Sequence, residues 1–157
     1  MAEAGARSKQ SISDVDEDCL LIIFSYLPFS HRIHLEVVCR QWYRLLRKTF
    51  NTTTSLNVAE FMKTTYRTHY QQDNVMFVPT INGLITRMGP YLQEISFGSR
   101  WLKISQPIVD TISEYCLRLT KLDLGCTILN ANIFSAVEKL APNVRRLYVL
   151  NTRTSLG

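Results

Sequence analysis

Large apolar side chains recur at helical spacing near the start of the chain. The first series comprises Leu20, Ile23, Phe24 and Leu27, and the second comprises Val38, Trp42, Leu45 and Leu46. The i, i+3, i+4, i+7 order of the first series places its four side chains on one helical face. Pro28 separates the two series and ends the first helix. We predict three short helices here and, because so small a unit buries little surface alone, a docking module that completes its core on a partner.

A different apolar motif repeats towards the C-terminus. Leu92-x-x-Ile95-x-Phe97 recurs as Leu119-x-x-Leu122-x-Leu124 after 27 residues and as Val144-x-x-Leu147-x-Val149 after a further 25. This spacing and pattern are typical of leucine-rich repeats, in which a short strand precedes each helix. We expect helices over residues 80–88, 106–116 and 131–140. The strand Leu56 to Val58 would start an earlier, degenerate copy, enlarged by an irregular or partly helical insertion over residues 59–76.

Strand alternation in such repeats sends Leu122 and Leu124 into the core and their neighbours outward. We expect two outward rows, one of Glu94, Lys121 and Arg146 and the next of Ser96, Asp123 and Tyr148, with Asn57 at the near edge. These polar and aromatic groups on a rigid face are the candidates for binding a target protein. In the competing interpretation, Glu94 and Lys121 only neutralise each other across adjacent strands.

The composition is that of a globular chain, with 46% hydrophobic and 20% charged residues, so global disorder is not expected. The formal net charge of +5 raises the question of nucleic acid. The excess is modest and spread along the chain, and Arg40, Arg44, Arg47 and Lys48 suit the C-terminal end and solvated face of a helix. We therefore prefer a solvated basic surface to a nucleic-acid site.

The four cysteines, Cys19, Cys39, Cys116 and Cys126, form no C-x-x-C pair and have no His partner at zinc spacing. We expect buried thiols in a reducing compartment. His31-x-x-His34 with Cys39 is weak support for a metal or thiol site. The chain has no nucleophile elbow, no phosphate-binding Gly loop and no H-E-x-x-H motif. We expect no catalytic residue, no metal and no cofactor.

The sequence pattern predicts neither a signal peptide nor a membrane-spanning segment. Residues 1–11 are small and polar without an apolar h-region, so we expect a flexible tail and not a signal peptide. No apolar run approaches membrane-spanning length, since the longest stops at Pro28. We expect a protein of the cytoplasm, the nucleus or both.

The helical stretch carries two separated blocks that resemble the F-box family. The first is Glu17-Asp18 with Leu20 to Leu27, and the second is Val38-Cys39-Arg40-Gln41-Trp42. The match of both blocks at the right distance is far more specific than either alone. The chain departs from the family pattern at Val15-Asp16, where Leu-Pro is usual, and at His31-Arg32, where Asp-Leu is usual.

This resemblance implies a fold, a partner and a function. The fold would be mainly α with α/β repeats: a three-helix F-box over residues 12–50, then degenerate leucine-rich repeats over residues 51–157, with short parallel strands and helices outside. The F-box would bind a Skp-type adaptor and, through it, a cullin scaffold. The adaptor-binding residues would be Val15, Leu20, Ile23, Phe24, Leu27, Val38 and Trp42.

The protein is then expected to be a non-catalytic substrate-recognition subunit of an SCF-type ubiquitin ligase, with the target protein on the repeats. One alternative is an adaptor-bound scaffold acting outside ubiquitination, and a second is a basic repeat protein that binds nucleic acid. Because the apolar residues Leu147 and Val149 of the third copy have no following helix, we also expect a truncated form or an incomplete repeat array.

Overall fold

The computed structural model describes residues 12–65, 77–98, 102–125, 127–130, 133–140, 144–149 and 153–155. The described chain is mainly helical with small parallel sheets, and it divides into two compact units between Thr49 and Phe50. Cys126 and most of the expected insertion at residues 59–76 lie outside the described residues.

The described part of the first unit contains a 3-10 turn and three helices. Their bounds are Ile12–Asp14 for the turn, then α1 Glu17–Ser25, α2 Phe29–Leu35 and α3 Arg40–Thr49. Asp16 caps α1, since its Oδ2 accepts the Asp18 N–H at 3.1 Å. Pro28 is the N-terminal flanking residue of α2, as its fixed φ and missing N–H favour. The buried core is formed by Leu20 and Phe24 of α1 with Leu45 and Leu46 of α3.

The second unit alternates strands and helices after a 3-10 turn at Phe50–Thr52. The helices are α4 Val58–Thr65, α5 Phe77–Met88, α6 Gln106–Tyr115 and α7 Ile133–Glu138. The strands are β1 Ser55–Asn57, β2 Glu94–Ser96, β3 Lys103–Ile104, β4 Lys121–Asp123, β5 Ile128–Asn130, β6 Arg146–Tyr148 and β7 Arg153–Ser155. They form two parallel sheets, in the orders β1-β2-β4-β6 and β3-β5-β7.

The register of the four-stranded sheet follows the repeated motif. Leu56, Ile95, Leu122 and Leu147 are successive partners across β1, β2, β4 and β6. The first three are buried, whereas Leu147 on the last strand is 46% exposed. The motif therefore predicted the inward positions of β2 and β4, and Leu147 on β6 is the exception.

Some helix and strand bounds differ from the sequence prediction. Val58 begins α4 and does not continue β1, and α4 gives regular structure to residues expected to be irregular or partly helical. Helix α5 begins at Phe77, three residues before the expected start, and ends at Met88 before Gly89-Pro90. Gly89, the first residue after α5, has no room for a side chain, because a Cβ there would lie 2.6 Å from the Ile85 carbonyl oxygen.

Candidate functional site

The outward residues of the four-stranded sheet form the two rows expected from the sequence. Glu94, Lys121 and Arg146 are partners in adjacent strands, and so are Asn57, Ser96, Asp123 and Tyr148. We call these seven residues the strand face. They are half-buried or exposed, so their side chains are accessible on the second unit.

The first row contains an ion pair. Lys121 Nζ lies 2.5 Å from Glu94 Oε1, and both side chains remain about one-third accessible. The hydrogen bond to Glu94 raises the pKa of Lys121, and Arg146 acts in the opposite direction. The Lys121 Nζ also lies 5.7 Å from the centroid of the Tyr148 ring. The neutralising contact expected between Glu94 and Lys121 is therefore present, and target binding by the strand face stays a prediction.

The second row is held by Asp123. One carboxylate oxygen, Oδ2, accepts the Ser96 hydroxyl at 3.0 Å. The other, Oδ1, accepts the Gly125 N–H at 2.8 Å, just after the strand. Asp123 therefore joins β2 to the turn that follows β4 and holds its own charge in a fixed position.

The predicted adaptor-binding residues divide by burial. Leu20 and Phe24 are 0% and 2% exposed, so they form the core and are not accessible to a partner in this conformation. Trp42 is partly buried against that core, with its ring centroid 5.0 Å from that of Phe24 in an edge-to-face arrangement. Val15 and Leu27 also pack partly buried against the core. These five residues stabilise the unit itself.

Ile23 and Val38 are the members of the predicted set with exposed side chains, at 48% and 56%. Three further apolar residues of the same unit are still more exposed, and sequence reasoning missed them. They are Ile22, Tyr26 and Val37. We call Ile22, Ile23, Tyr26, Val37 and Val38 the exposed apolar set.

Local structure explains the exposure. Val37 and Val38 lie in the turn between α2 and α3, where the Val38 N–H donates to the Leu35 carbonyl at 3.2 Å. Ile22 is within α1 but off the buried positions Leu20 and Phe24. The signal was in the sequence, because Leu20 to Phe24 is apolar all round and a helix cannot bury every face in a unit this small.

The two departures from the family pattern have structural roles. Val15 contacts the core, and Asp16 caps α1. Arg32 is buried, its Nη1 donates to the Thr49 carbonyl at 3.1 Å, and burial lowers its pKa. Arg32 therefore joins α2 to the end of α3, while His31 is exposed.

Two of the α3 cations already have partners within the unit. Arg44 forms an ion pair with Glu17, and Arg47 Nη1 donates to the Tyr43 hydroxyl at 3.0 Å. Within the described ranges, no group of three or more His, Cys, Asp or Glu residues is placed to hold a metal ion.

Residues 12–52 match the family model of the F-box domain. No curated protein matches the chain. The match covers the described part of the first unit and the 3-10 turn at Phe50–Thr52 that follows it.

The structure contradicts the expected burial of two cysteines in the first unit. Cys19 and Cys39 are exposed free thiols, whereas Cys116 in the second unit is buried. Cys19 directly precedes the buried Leu20 on α1, and Cys39 directly precedes α3. Burial raises the pKa of the Cys116 thiol to about 12.

No helix among the described residues is long and apolar enough to cross a membrane.

Proposed function

We propose that this chain is a non-catalytic substrate-recognition subunit of an SCF-type ubiquitin ligase. The F-box binds a Skp-type adaptor, and the second unit binds the target protein. The observation that carries the proposal is the exposed apolar set on a unit that matches the F-box domain. Exposed Tyr26 and Val37, at 84% and 87%, are costly to leave in water and gain free energy when a partner covers them.

The second unit supports the target-binding part of the proposal through its repeated construction. The Thr54 carbonyl accepts the N–H groups of Gln93 and Glu94, and the Gln93 carbonyl accepts those of Thr120 and Lys121. The Thr120 carbonyl does the same for Arg145 and Arg146. The same junction thus occurs three times, which favours degenerate leucine-rich repeats over residues 51–157. Such repeats present a rigid strand face, as a target-binding surface requires.

The mechanism is proximity. The adaptor and cullin place a ubiquitin-charged conjugating enzyme near the bound target, so its lysines meet the thioester at a high effective concentration. This chain supplies binding and orientation and no chemistry of its own. We place the complex in the cytoplasm, the nucleus or both.

The test is co-purification of the chain with a Skp-type adaptor. Ile23→Asp with Val38→Asp introduces two charges into the exposed apolar set while leaving the core intact, and we expect adaptor binding to fall at least about tenfold. Leu117→Asp with Tyr91→Asp is the matched control, because both side chains are exposed apolar groups of the second unit. We expect that control to bind normally.

Circular dichroism shows whether each variant keeps its helices. Undiminished adaptor binding by the folded Ile23→Asp, Val38→Asp variant would contradict the proposal. Ubiquitin transfer to a bound partner, reconstituted with adaptor, cullin and conjugating enzyme, tests the ligase role. A partner that binds and is never modified would show a scaffold instead.

A further inference from the structure

A groove of about 310 Å³ lies at the start of β2, β4 and β6 in the second unit. Each strand contributes its first residue and the residue before it. The lining residues are Gln93, Glu94, Thr120, Lys121, Arg145 and Arg146. The groove therefore includes the first row of the strand face and extends it by the row that precedes the strands.

The backbone at the base of the groove is already hydrogen-bonded. The Gln93 carbonyl accepts the Thr120 N–H at 2.9 Å and the Lys121 N–H at 3.0 Å. The Thr120 hydroxyl adds a third contact to the same carbonyl at 3.2 Å. Because the Gln93 carbonyl already accepts hydrogen bonds from within the protein, the side chains determine which ligand the groove binds.

The charge of the groove rises from β2 to β6. Glu94 and Lys121 pair with each other. At the β6 end of the groove, Arg145 and Arg146 are exposed. In the part of the chain that the structure describes, neither arginine forms a salt bridge. Each guanidinium group offers a planar pair of donors that fits a carboxylate or phosphate in a bidentate manner.

The neighbouring carboxylates limit the shape of the ligand. Glu94 lies on one side of the cations, and Asp123 follows Lys121 by two residues on β4. A nucleic acid carries a negative charge at every nucleotide, so a strand crossing this face would meet Glu94 or Asp123. A peptide places one or two acidic side chains against the arginines and neutral residues elsewhere, and so avoids the repulsion.

We propose that this groove binds an acidic segment of a target protein, with its carboxylates held by Arg145 and Arg146. Lys121 supports the site, since its ammonium keeps donors beyond the one that bonds Glu94. This inference rests on the proposed function of the second unit as the target-binding part, and it names the class of target.

The experiment measures fluorescence anisotropy with the full chain at low salt. The probe is a labelled decapeptide of glycine and serine with two central glutamates, and its control carries two central glutamines. We expect the glutamate peptide to bind at least about fivefold more tightly, with an affinity that falls as salt is added. A third peptide with two central phosphoserines shows whether phosphate is the preferred oxyanion.

The decisive variant is Arg145→Gln with Arg146→Gln. Both side chains are exposed, so the fold should persist, and we expect the glutamate peptide to lose about fivefold in affinity. Lys103→Gln with Arg118→Gln removes the same charge from exposed positions outside the groove and should leave binding unchanged.

Four outcomes would overturn the inference. They are no saturable binding of the glutamate peptide, equal binding of the glutamine peptide, equal losses in the two double variants, or tighter binding of a ten-nucleotide oligouridylate than of the peptide. Adaptor co-purification is measured in parallel. Peptide binding with no adaptor binding would defeat the proposed function and leave the groove intact, and the reverse result would defeat the groove alone.

Discussion

The two units differ in how fully they bury their apolar side chains. The first unit buries four, Leu20, Phe24, Leu45 and Leu46, and leaves the whole exposed apolar set in water. In the second unit, strands and helices bury Leu56, Ile95 and Leu122 in one row with the apolar residues of α5 and α6 around them. The second unit thus covers most of its own described core, whereas the first keeps the five residues of the exposed apolar set available to a partner.

This difference separates the two kinds of recognition that we propose. An apolar surface gains free energy from being covered, so it suits a stable, non-directional contact such as that with an adaptor. The charged strand face gains selectivity from fixed partners such as the Glu94–Lys121 pair and the Asp123 hydrogen bonds. The predictions below test each side of this comparison.

The largest loss of stability is expected from a substitution in the small core of the first unit. Leu20→Ala should lower the free energy of unfolding of that unit by about 2–5 kcal/mol, because it removes a fully buried side chain from a core of four. Ile23→Ala, one helical turn away and half exposed, should change it by less than about 0.5 kcal/mol. Denaturant unfolding followed by Trp42 fluorescence in a Trp101→Phe background measures both.

Adding the adaptor gives a second measurement of the stability of the Leu20→Ala variant. A saturating adaptor should raise the unfolding midpoint of the Leu20→Ala variant, since a ligand that binds only the folded state stabilises it. Equal losses in Leu20→Ala and Ile23→Ala would contradict the division into a buried core and an exposed apolar set.

Cysteine reactivity distinguishes the units next. Iodoacetamide at pH 8 should modify Cys19 and Cys39 at least about a hundredfold faster than Cys116, because Cys116 is buried and holds its proton. Mass spectrometry of digested protein gives the rate at each residue. Rapid modification of Cys116 in the folded protein would show that the second unit opens readily.

The same thiol gives a pH dependence. The pKa of Cys116 is raised on folding, so its contribution to stability is complete below the ordinary thiol pKa. It is lost as pH rises from there to about 12, because the unfolded chain ionises first. Cys116→Ala should remove this part of the pH dependence.

A smaller effect concerns the packing of α5 in the second unit. Gly89→Ala should destabilise that unit by about 1–3 kcal/mol, since the new Cβ would lie within 2.8 Å of the Ile85 carbonyl oxygen and of Tyr115 on α6. Gly83→Ala is the matched control within α5, because no atom lies within 4 Å of its Cβ position. We expect that control to stabilise the helix by about 0.5–1 kcal/mol.

Thermal unfolding compares the two glycine variants directly. If Gly89→Ala proves as stable as Gly83→Ala, the close approach of α5 and α6 at this position is wrong.

The smallest effect is at the strand face. Glu94→Gln should lower the pKa of Lys121, because the hydrogen bond that Lys121 donates to Glu94 is the main cause that raises it. The contribution of this pair is present below the unfolded-state pKa of lysine and is lost as pH rises through the folded-state value. An NMR titration of the Lys121 side chain measures the shift, with Glu114→Gln, at an exposed position on α6, as the control.

The least predictable feature of the candidate site was which apolar side chains of the first unit are buried. Helical periodicity correctly grouped Leu20 with Phe24, but the same period cannot say whether that face meets the unit's own core or a partner. The structure assigns these two side chains to the core, against α3, and leaves Ile22 and Tyr26 exposed. The prediction that Cys19 and Cys39 are buried was wrong for the same reason, because apolar neighbours in the sequence do not ensure that a side chain is buried in the fold.

By itself, the sequence determined the local elements and the repeating positions of the strands. Pro28 and Gly89-Pro90 ended helices through backbone sterics, and the spacing of Ile95 and Leu122 put their strands in register. Only the tertiary structure decided which apolar face became the core, and it alone showed that Arg145 lines one groove with Lys121 and Arg146. The physical reason is that periodicity is a property of one element, whereas burial and charge clustering depend on which elements pack together.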